Sequence, residues 1–338
     1  MSVHDPQLDH LDLSAPKDRA TWVQAQCKEL GFDDVGIVAA DAPLRHLDKL
    51  SSYIAEERHG PLAYMEQTAE IRADIQKRLP GAKSVVVVVA NYFHGHHHEL
   101  APAYDPDHEP TDDPKKTAHS QARVSRYAWG ADYHQVLRRK LRKLRKRMLA
   151  SVDPNAQISL FSDAQPVYER AWAEAAGLGF IGKSTMFIHR DMGTWTFLAG
   201  LITDLDLGQA ARPPMTDFCG TCTRCVDACP TNAFVEPWRL DANRCLSTWT
   251  VEKPTDERAD APQFSGHGWA VGCDVCQEVC PWNRFEKISS EHRFAPRDGH
   301  VFLNAEQLPE DVAGTPLARP GAEGLLASIR RALNDDSP

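Results

Sequence analysis

Cysteine is the residue whose spacing in this chain carries the most chemistry. From Cys219 to Pro230 the sequence reads CGTCTRCVDACP, a C-x2-C-x2-C-x3-C run closed by proline. Thiolates at these intervals wrap a [4Fe-4S] cube with three sulfurs and lend the fourth to a neighbouring cube. A second cube is therefore implied, and its ligands are at hand. Cys273, Cys276 and Cys280-Pro281 repeat the second half of the run, and Cys245, 28 residues before Cys273, replaces the missing first member. The crossed ferredoxin topology assigns Cys219, Cys222, Cys225 and Cys280 to one cluster and Cys229, Cys245, Cys273 and Cys276 to the other. Zinc knuckles also use C-x2-C pairs, but they require neither the third cysteine at x2 nor a proline after the fourth, and a disulfide framework needs an oxidising compartment. The ninth cysteine, Cys27, shares the apolar side of a helical pattern with Ala20, Val23 and Leu30 and reads as a buried structural thiol.

Other candidates stand on single residues or on charge. Asp163 follows a strand expected over Ile158 to Phe161, where a carboxylate can project into a pocket; the competing role is a helix N-cap, since Pro166 comes three residues later. Gly177, Gly179 and Gly182 match G-x-G-x-x-G but follow a helical stretch from Pro166 to Ala176. A dinucleotide fingerprint must follow a strand, so these glycines are expected to end a helix and to let backbone approach a large flat ligand. Eight cations between Arg138 and Arg147 surround the apolar stripe Leu137, Leu141, Leu144 and Met148. Such a face is commonly just solvated, but against a phosphate backbone it gains affinity by releasing counterions. His94, His96, His97 and His98 open a histidine- and proline-rich segment to Ser120, expected as a long solvated loop whose spacing fixes no metal geometry.

These residues need a frame. A helical pattern runs from Lys17 to Leu30, Gly31 stops it, and DDVGIVAA reads as a short buried strand. Five consecutive valines, Val85 to Val89, suit a strand covered on both faces. The fold class expected is therefore an α/β (α+β layered) N-terminal domain followed by a ferredoxin-like domain with two [4Fe-4S] clusters. The expected divisions are a loose arm over residues 1–16, the α/β domain over 17–211, the cluster domain over 212–290 from Arg212-Pro213-Pro214, and a helical tail over 291–338. The 338 residues, 42% hydrophobic and 25% charged, suffice for two domains with a substantial core. A net charge of −9 argues against wholesale coating of nucleic acid while leaving room for a local basic patch. No run reaches the ~18 apolar residues of a membrane span and the N-terminal residues carry no export signal, so a cytoplasmic protein away from the membrane is expected; a monomer is expected as well.

The chain resembles the epoxyqueuosine reductases from about Phe32 to Phe285. The resemblance is carried by RYAWGADYH from Arg126, by ERAWAEAAGLGFIGKST from Glu169, by CGTCTRCVDACPTNA, by RCLSTWTVE around Cys245 and by GCDVCQEVCPWN ending at Asn283. It implies a cobalamin-binding domain related to that of reductive dehalogenases, with the nearer of two clusters feeding the cobalt. It implies that Asp163 is the general acid. Arg126, Asp132, Tyr133, His134, Lys183 and Ser184 would lie near the corrinoid, with Ser247 and Asp274 approaching from the cluster side. The implied reaction is the last step of queuosine formation in the anticodon loop of tRNA, drawing on a low-potential electron donor that the sequence does not identify.

Turning an epoxide into an alkene consumes two electrons and two protons and releases water. The opening ring leaves an alkoxide, for which a general acid is worth roughly 10²–10⁴-fold. Desolvation beside the corrin is expected to raise the Asp163 pKa enough for that role. Two rivals share parts of this pattern. A reductive dehalogenase would use the same cofactors but commonly begins with a twin-arginine signal, and a plain electron carrier would not need so large an α/β domain.

Overall fold

The computed structural model describes residues 11–100, 121–208, 212, 213, 215, 218–252, 266–305 and 308–333. Most of the expected N-terminal arm, residues 101–120 of the histidine-rich segment and the final DDSP lie outside them. The strands are β1 (Asp34–Ala39), β2 (Ser84–Asn91), β3 (Ala122–Val124), β4 (Ile158–Phe161), β5 (Gly179–Ile181), β6 (Phe187–His189), β7 (Thr196–Thr203), β8 (Phe234–Glu236), β9 (Arg239–Leu240), β10 (Trp269–Val271) and β11 (Phe302–Leu303). The helices used below are α1 (Pro16–Glu29), α2 (Tyr133–Ser151), α3 (Glu169–Ala175), α4 (Arg224–Asp227), α5 (Val275–Glu278) and α6 (Gly321–Leu333).

The valine run forms β2, one of two inner strands of a four-stranded sheet in the order β1-β2-β7-β4, in which every pair is antiparallel. Side chains alternate across a strand, and here the alternation divides two cores. Val86 and Val88 join Val23, Cys27, Leu141, Leu144 and Met148 on the side of α1 and α2. Val85, Val87 and Val89 join Ile75, Leu79, Trp172 and Ala176 on the side of α3. Both faces are thus covered by helices, so the run can be apolar throughout although the sheet is antiparallel. Cys27 is fully buried in the first core, and burial pushes its thiol up to about 12.

A smaller sheet, β10-β3-β11, ties distant parts of the chain together. β3 pairs in parallel with β10 and antiparallel with β11, and a third core collects Val124, Trp129, Val271, Leu303, Leu317, Leu325 and Ile329 under α6. Residues from all three stretches expected as separate units, 17–211, 212–290 and 291–338, therefore share one apolar interior. Among the described residues no helix is long and apolar enough to cross a membrane.

Three local expectations need correction. His96 and His97 do not belong to a solvated loop, although His98 is exposed. His97 is buried, with Nε2 2.9 Å from the Val124 carbonyl and its ring edge-on to Trp129 and Trp269, and His96 pairs with Glu286 at 2.8 Å. The slot between two tryptophans buries an imidazole that composition alone would leave in water. Nor do all eight cations of α2 face outward: Lys140 reaches inward to Glu291 at 2.8 Å and to the Gly31 carbonyl at 2.6 Å, and Arg147 pairs with Glu29 at 2.8 Å. Finally, Gly177 ends α3 as expected, but the close approach that it and Gly179 permit is that of the chain's own backbone. Gly177 has φ +70°, and a Cβ there would stand 2.3 Å from the Arg212 carbonyl oxygen; one at Gly179 would stand 2.1 Å from that of Ile188.

Candidate active site

The eight cysteines after Cys27 line two cavities, four in each. Cys229, Cys245, Cys273 and Cys276 line one of about 450 Å³, whose other walls include Tyr53, Tyr92, Tyr133, Asp163, Glu169 and Phe197. Cys219, Cys222, Cys225 and Cys280 line a second of about 240 Å³ together with Lys183, Phe218, Trp282 and Arg284. We call these the inner and outer sets. Among the described residues no three His, Cys, Asp or Glu side chains converge to hold a single metal ion. A cube is a body rather than a point, so its ligands stand around a space.

Short elements shape both sets. In the outer one the Cys222 N–H donates to the Cys219 carbonyl at 2.9 Å, and α4 carries Cys225 onward. Lys183 braces this loop, its Nζ donating to the carbonyls of Gly220 at 2.5 Å and Cys222 at 3.1 Å. Backbone N–H groups also point at sulfur, from Lys183 to Cys219 Sγ at 3.5 Å and from Ala233 to Cys229 Sγ at 3.3 Å. Such donors stabilise charge on a ligating thiolate and help set a cluster's potential. In the inner set Cys276 rides on α5, next to Asp274.

The inner cavity also receives the end of a row of titratable groups. Asp163 leaves β4 with φ +58°, a left-handed backbone that a non-glycine residue adopts at a cost. Its Oδ2 accepts from the Tyr133 hydroxyl at 2.5 Å and lies 3.3 Å from His134 Nε2, while its own N–H donates to Glu169 Oε1 at 2.5 Å. His134 Nδ1 lies 2.8 Å from Asp132 Oδ1, and that oxygen also accepts from the His134 N–H at 2.9 Å as the N-cap of α2. Asp163 caps no helix: α3 begins only at Glu169, later than the expected Pro166, with Tyr168 in the cap position.

Electrostatics divides the row. Burial pushes the Asp163 carboxyl up, but hydrogen bonds from His134 and Tyr133 outweigh it and hold the group down to about 2. Burial pulls His134 down, but the carboxylates of Asp163 and Asp132 on either side win and raise it. Burial, and then the charge of Asp163, push Glu169 up to about 8 and the Tyr133 hydroxyl well above its usual value. The expected elevation of Asp163 is therefore reversed in this state, because hydrogen bonds from His134 and Tyr133 stabilise its charge. The exposed half of the Asp163 side chain (53%) opens on the cavity that it lines.

Of the residues expected near the corrinoid, Tyr133, Asp163, Ser184, Ser247 and Asp274 line the inner cavity, and Lys183 and Ser184 line the outer one. Arg126, Asp132 and His134 line neither. Asp132 and His134 stand behind Asp163, and Arg126 is buried beneath the inner thiols. Its Nη1 lies 3.0 Å from Asp274 and 2.8 Å from Glu278, its Nε donates to the Gly95 carbonyl at 3.0 Å, and its cation sits 4.7 Å from the Trp195 ring centre. Glu169 is a site residue that the sequence reading missed; its distance from Asp163 along the chain matches no motif. The inner cavity's wall mixes rings and aliphatic side chains with serine, threonine and charged groups, which fits a large ligand with apolar faces and polar edges.

Fold and site together define an iron–sulfur oxidoreductase. The family model described as a 4Fe-4S double cluster binding domain matches residues 218–283, and the one described as Epoxyqueuosine reductase QueG, DUF1730 matches residues 72–164. An epoxyqueuosine reductase of Gloeobacter violaceus is 39% identical over 327 residues, covering 93% of this chain and 95% of the relative. One of Leadbetterella byssophila is 37% identical over 319 residues, with 93% and 98% covered. Among solved structures, an epoxyqueuosine reductase with a tRNA-Tyr epoxyqueuosine-modified stem loop superposes with TM-score 0.77 at 26% identity, covering 94% of this chain and 82% of that one. The Streptococcus thermophilus enzyme gives 0.72 at 26% identity, with 93% and 80% covered. The chain belongs to the epoxyqueuosine reductase family.

Proposed function

We propose that this chain reduces epoxyqueuosine to queuosine in tRNA, with cobalamin in the inner cavity and one [4Fe-4S] cluster on each cysteine set. The observation that carries this reading is one cavity whose wall includes both Cys229, Cys245, Cys273 and Cys276 and the acid row Asp163, Tyr133 and Glu169. When bound, cobalamin supplies the two-electron reductant for the epoxide carbon, resupplied one electron at a time by the clusters. Tyr133, Ser184, Ser247 and Asp274 would border it on the walls that they line, and the outer set would receive electrons from a low-potential donor. With tRNA as substrate, the cytoplasm is where the protein would act, as a monomer.

The chain's own residues handle the protons. At rest the proton sits on His134, held between the carboxylates of Asp132 and Asp163. Asp163 faces the cavity and contacts His134, so it relays that proton to the opening epoxide oxygen; the second proton, with which that oxygen leaves as water, enters from solvent through the re-protonated His134. Filling the cavity displaces water and strengthens the upward push of burial on Asp163, which favours the protonated acid at the moment of need. Tyr133 keeps the carboxylate aimed. The balance is one epoxide, two electrons and two protons to one alkene and one water.

The test is anaerobic reconstitution with iron, sulfide and cobalamin, followed by reaction with epoxyqueuosine-containing tRNA and mass analysis of its nucleosides. Queuosine should form, and corrin absorption should add to the iron–sulfur band. Protein that holds both cofactors and leaves epoxyqueuosine unchanged would overturn the reading.

A further inference from the structure

Arg138, Arg142 and Arg145 lie on one side of α2, where i, i+4 and i+7 positions share a face. With Arg78 they line an open cleft of about 560 Å³, completed by Leu79, Gln157, Ile158, Ser159 and Leu160, with no carboxylate among the described residues of its wall. β4, which supplies Ile158 to Leu160, is the edge strand of its sheet. The other side of α2 is different, since Lys140 and Arg147 spend their charges on Glu291 and Glu29. None of the four cleft arginines has an ion-pair partner among the described residues, and Arg78 Nε is shut off from solvent without a hydrogen-bond partner. Four guanidinium groups in a concave site, one with a buried N–H to satisfy, call for an anion.

The layout favours a repeating anion over a single one. The α2 arginines are spread over ~10 Å of helix axis rather than converging on one point. The same two elements lead to the acid. Tyr133 and His134 begin α2, and Asp163 follows Leu160 by three residues, or ~10 Å of extended chain. We propose that this cleft holds the phosphodiester backbone of the substrate RNA a few nucleotides from the base in the inner cavity. The proposal rests on tRNA being the substrate.

The experiment uses the full chain with both cofactors loaded and compares Arg138→Glu/Arg142→Glu and Arg78→Gln with a charge-matched control on exposed cations outside the cleft, Arg139→Glu/Lys143→Glu. Binding of epoxyqueuosine-containing tRNA is measured against salt concentration. The cleft variants should weaken binding and flatten the log–log salt slope by roughly 0.7 per lost contact, as for single strands. Their turnover at saturating tRNA should stay at the wild-type level while KM rises. Equal slopes for wild type and cleft variants, or an equal loss in the control, would overturn the cleft. Wild-type protein that binds tRNA without converting it would overturn the reaction instead, and the binding comparison would still decide the cleft.

Discussion

The inner cysteine set shares its cavity with Asp163, Tyr133 and Glu169, whereas the outer set is rimmed by Phe218, Trp282 and Arg284, with Phe218 more than half exposed (52%). The same ligand type, four at a time, thus stands in two different surroundings. One set faces groups that hold protons, the other faces aromatic side chains at the surface. The difference teaches that the cysteine pattern specifies what is bound, while the neighbours specify what each bound group does. Electrons would arrive at the outer set and leave from the inner one.

The sharpest way to break the comparison is to remove one ligand from each set. Cys276→Ser should lower iron from about eight to about four per chain and abolish turnover altogether. Cys222→Ser should lower iron equally and abolish steady-state turnover, yet leave a single turnover to protein reduced chemically beforehand. Identical behaviour of the two variants in that pre-reduced assay would erase the distinction. Next in size is Asp163→Asn, expected to keep the iron and cobalamin content while single-turnover rates fall by roughly 10²–10⁴-fold, the worth of a general acid. Near-normal rates would return Asp163 to a structural role.

Arg126→Ala should leave Asp274 as a buried, uncompensated charge and cost about 3–5 kcal/mol of stability, read as a lowered denaturation midpoint of the loaded protein. A midpoint within error of wild type would mean that the pair is dispensable. A smaller effect follows from pH. His134 is raised by its two carboxylates, so the stability it contributes is full below its unfolded value of about 6.5 and is lost as pH rises through the higher folded value. Turnover should fall over that same alkaline limb, and His134→Gln should flatten it; an unchanged profile would place the resting proton elsewhere. The smallest expected change is at the outer set, where Lys183→Met should speed iron release to a chelator without altering the single-turnover rate of pre-reduced protein.

Much of this arrangement is legible before any coordinates. Cysteine spacing is informative because a cube demands short loops of set length, and the fold gathers the same two sets of four around separate cavities. Val85 to Val89 announces a covered strand because only burial on both faces tolerates five consecutive valines. What stays hidden is pairing between residues far apart in the chain. Nothing near Arg126 shows that Asp274 will neutralise it, or that His97 will slide between Trp129 and Trp269. The protonation of Asp163 is hidden for the same reason. Burial and hydrogen bonding push it in opposite directions, and only the distances to Tyr133 and His134 decide which prevails.

Arg126 also bears on how this chain can be taken apart. Its guanidinium binds Gly95 on one side and Asp274 and Glu278 on the other, and residues 122–124 of β3 lie between β10 and β11. The cysteine-bearing segment is therefore no interchangeable cassette. Transplanting residues 212–290 from a relative would import new neighbours for a cation already sealed inside, and the graft would have to carry the Gly95 loop, Arg126 and β3 with it. Engineering a different electron donor should accordingly begin at the aromatic rim of Phe218 and Trp282, where side chains can be exchanged without unseating a buried charge.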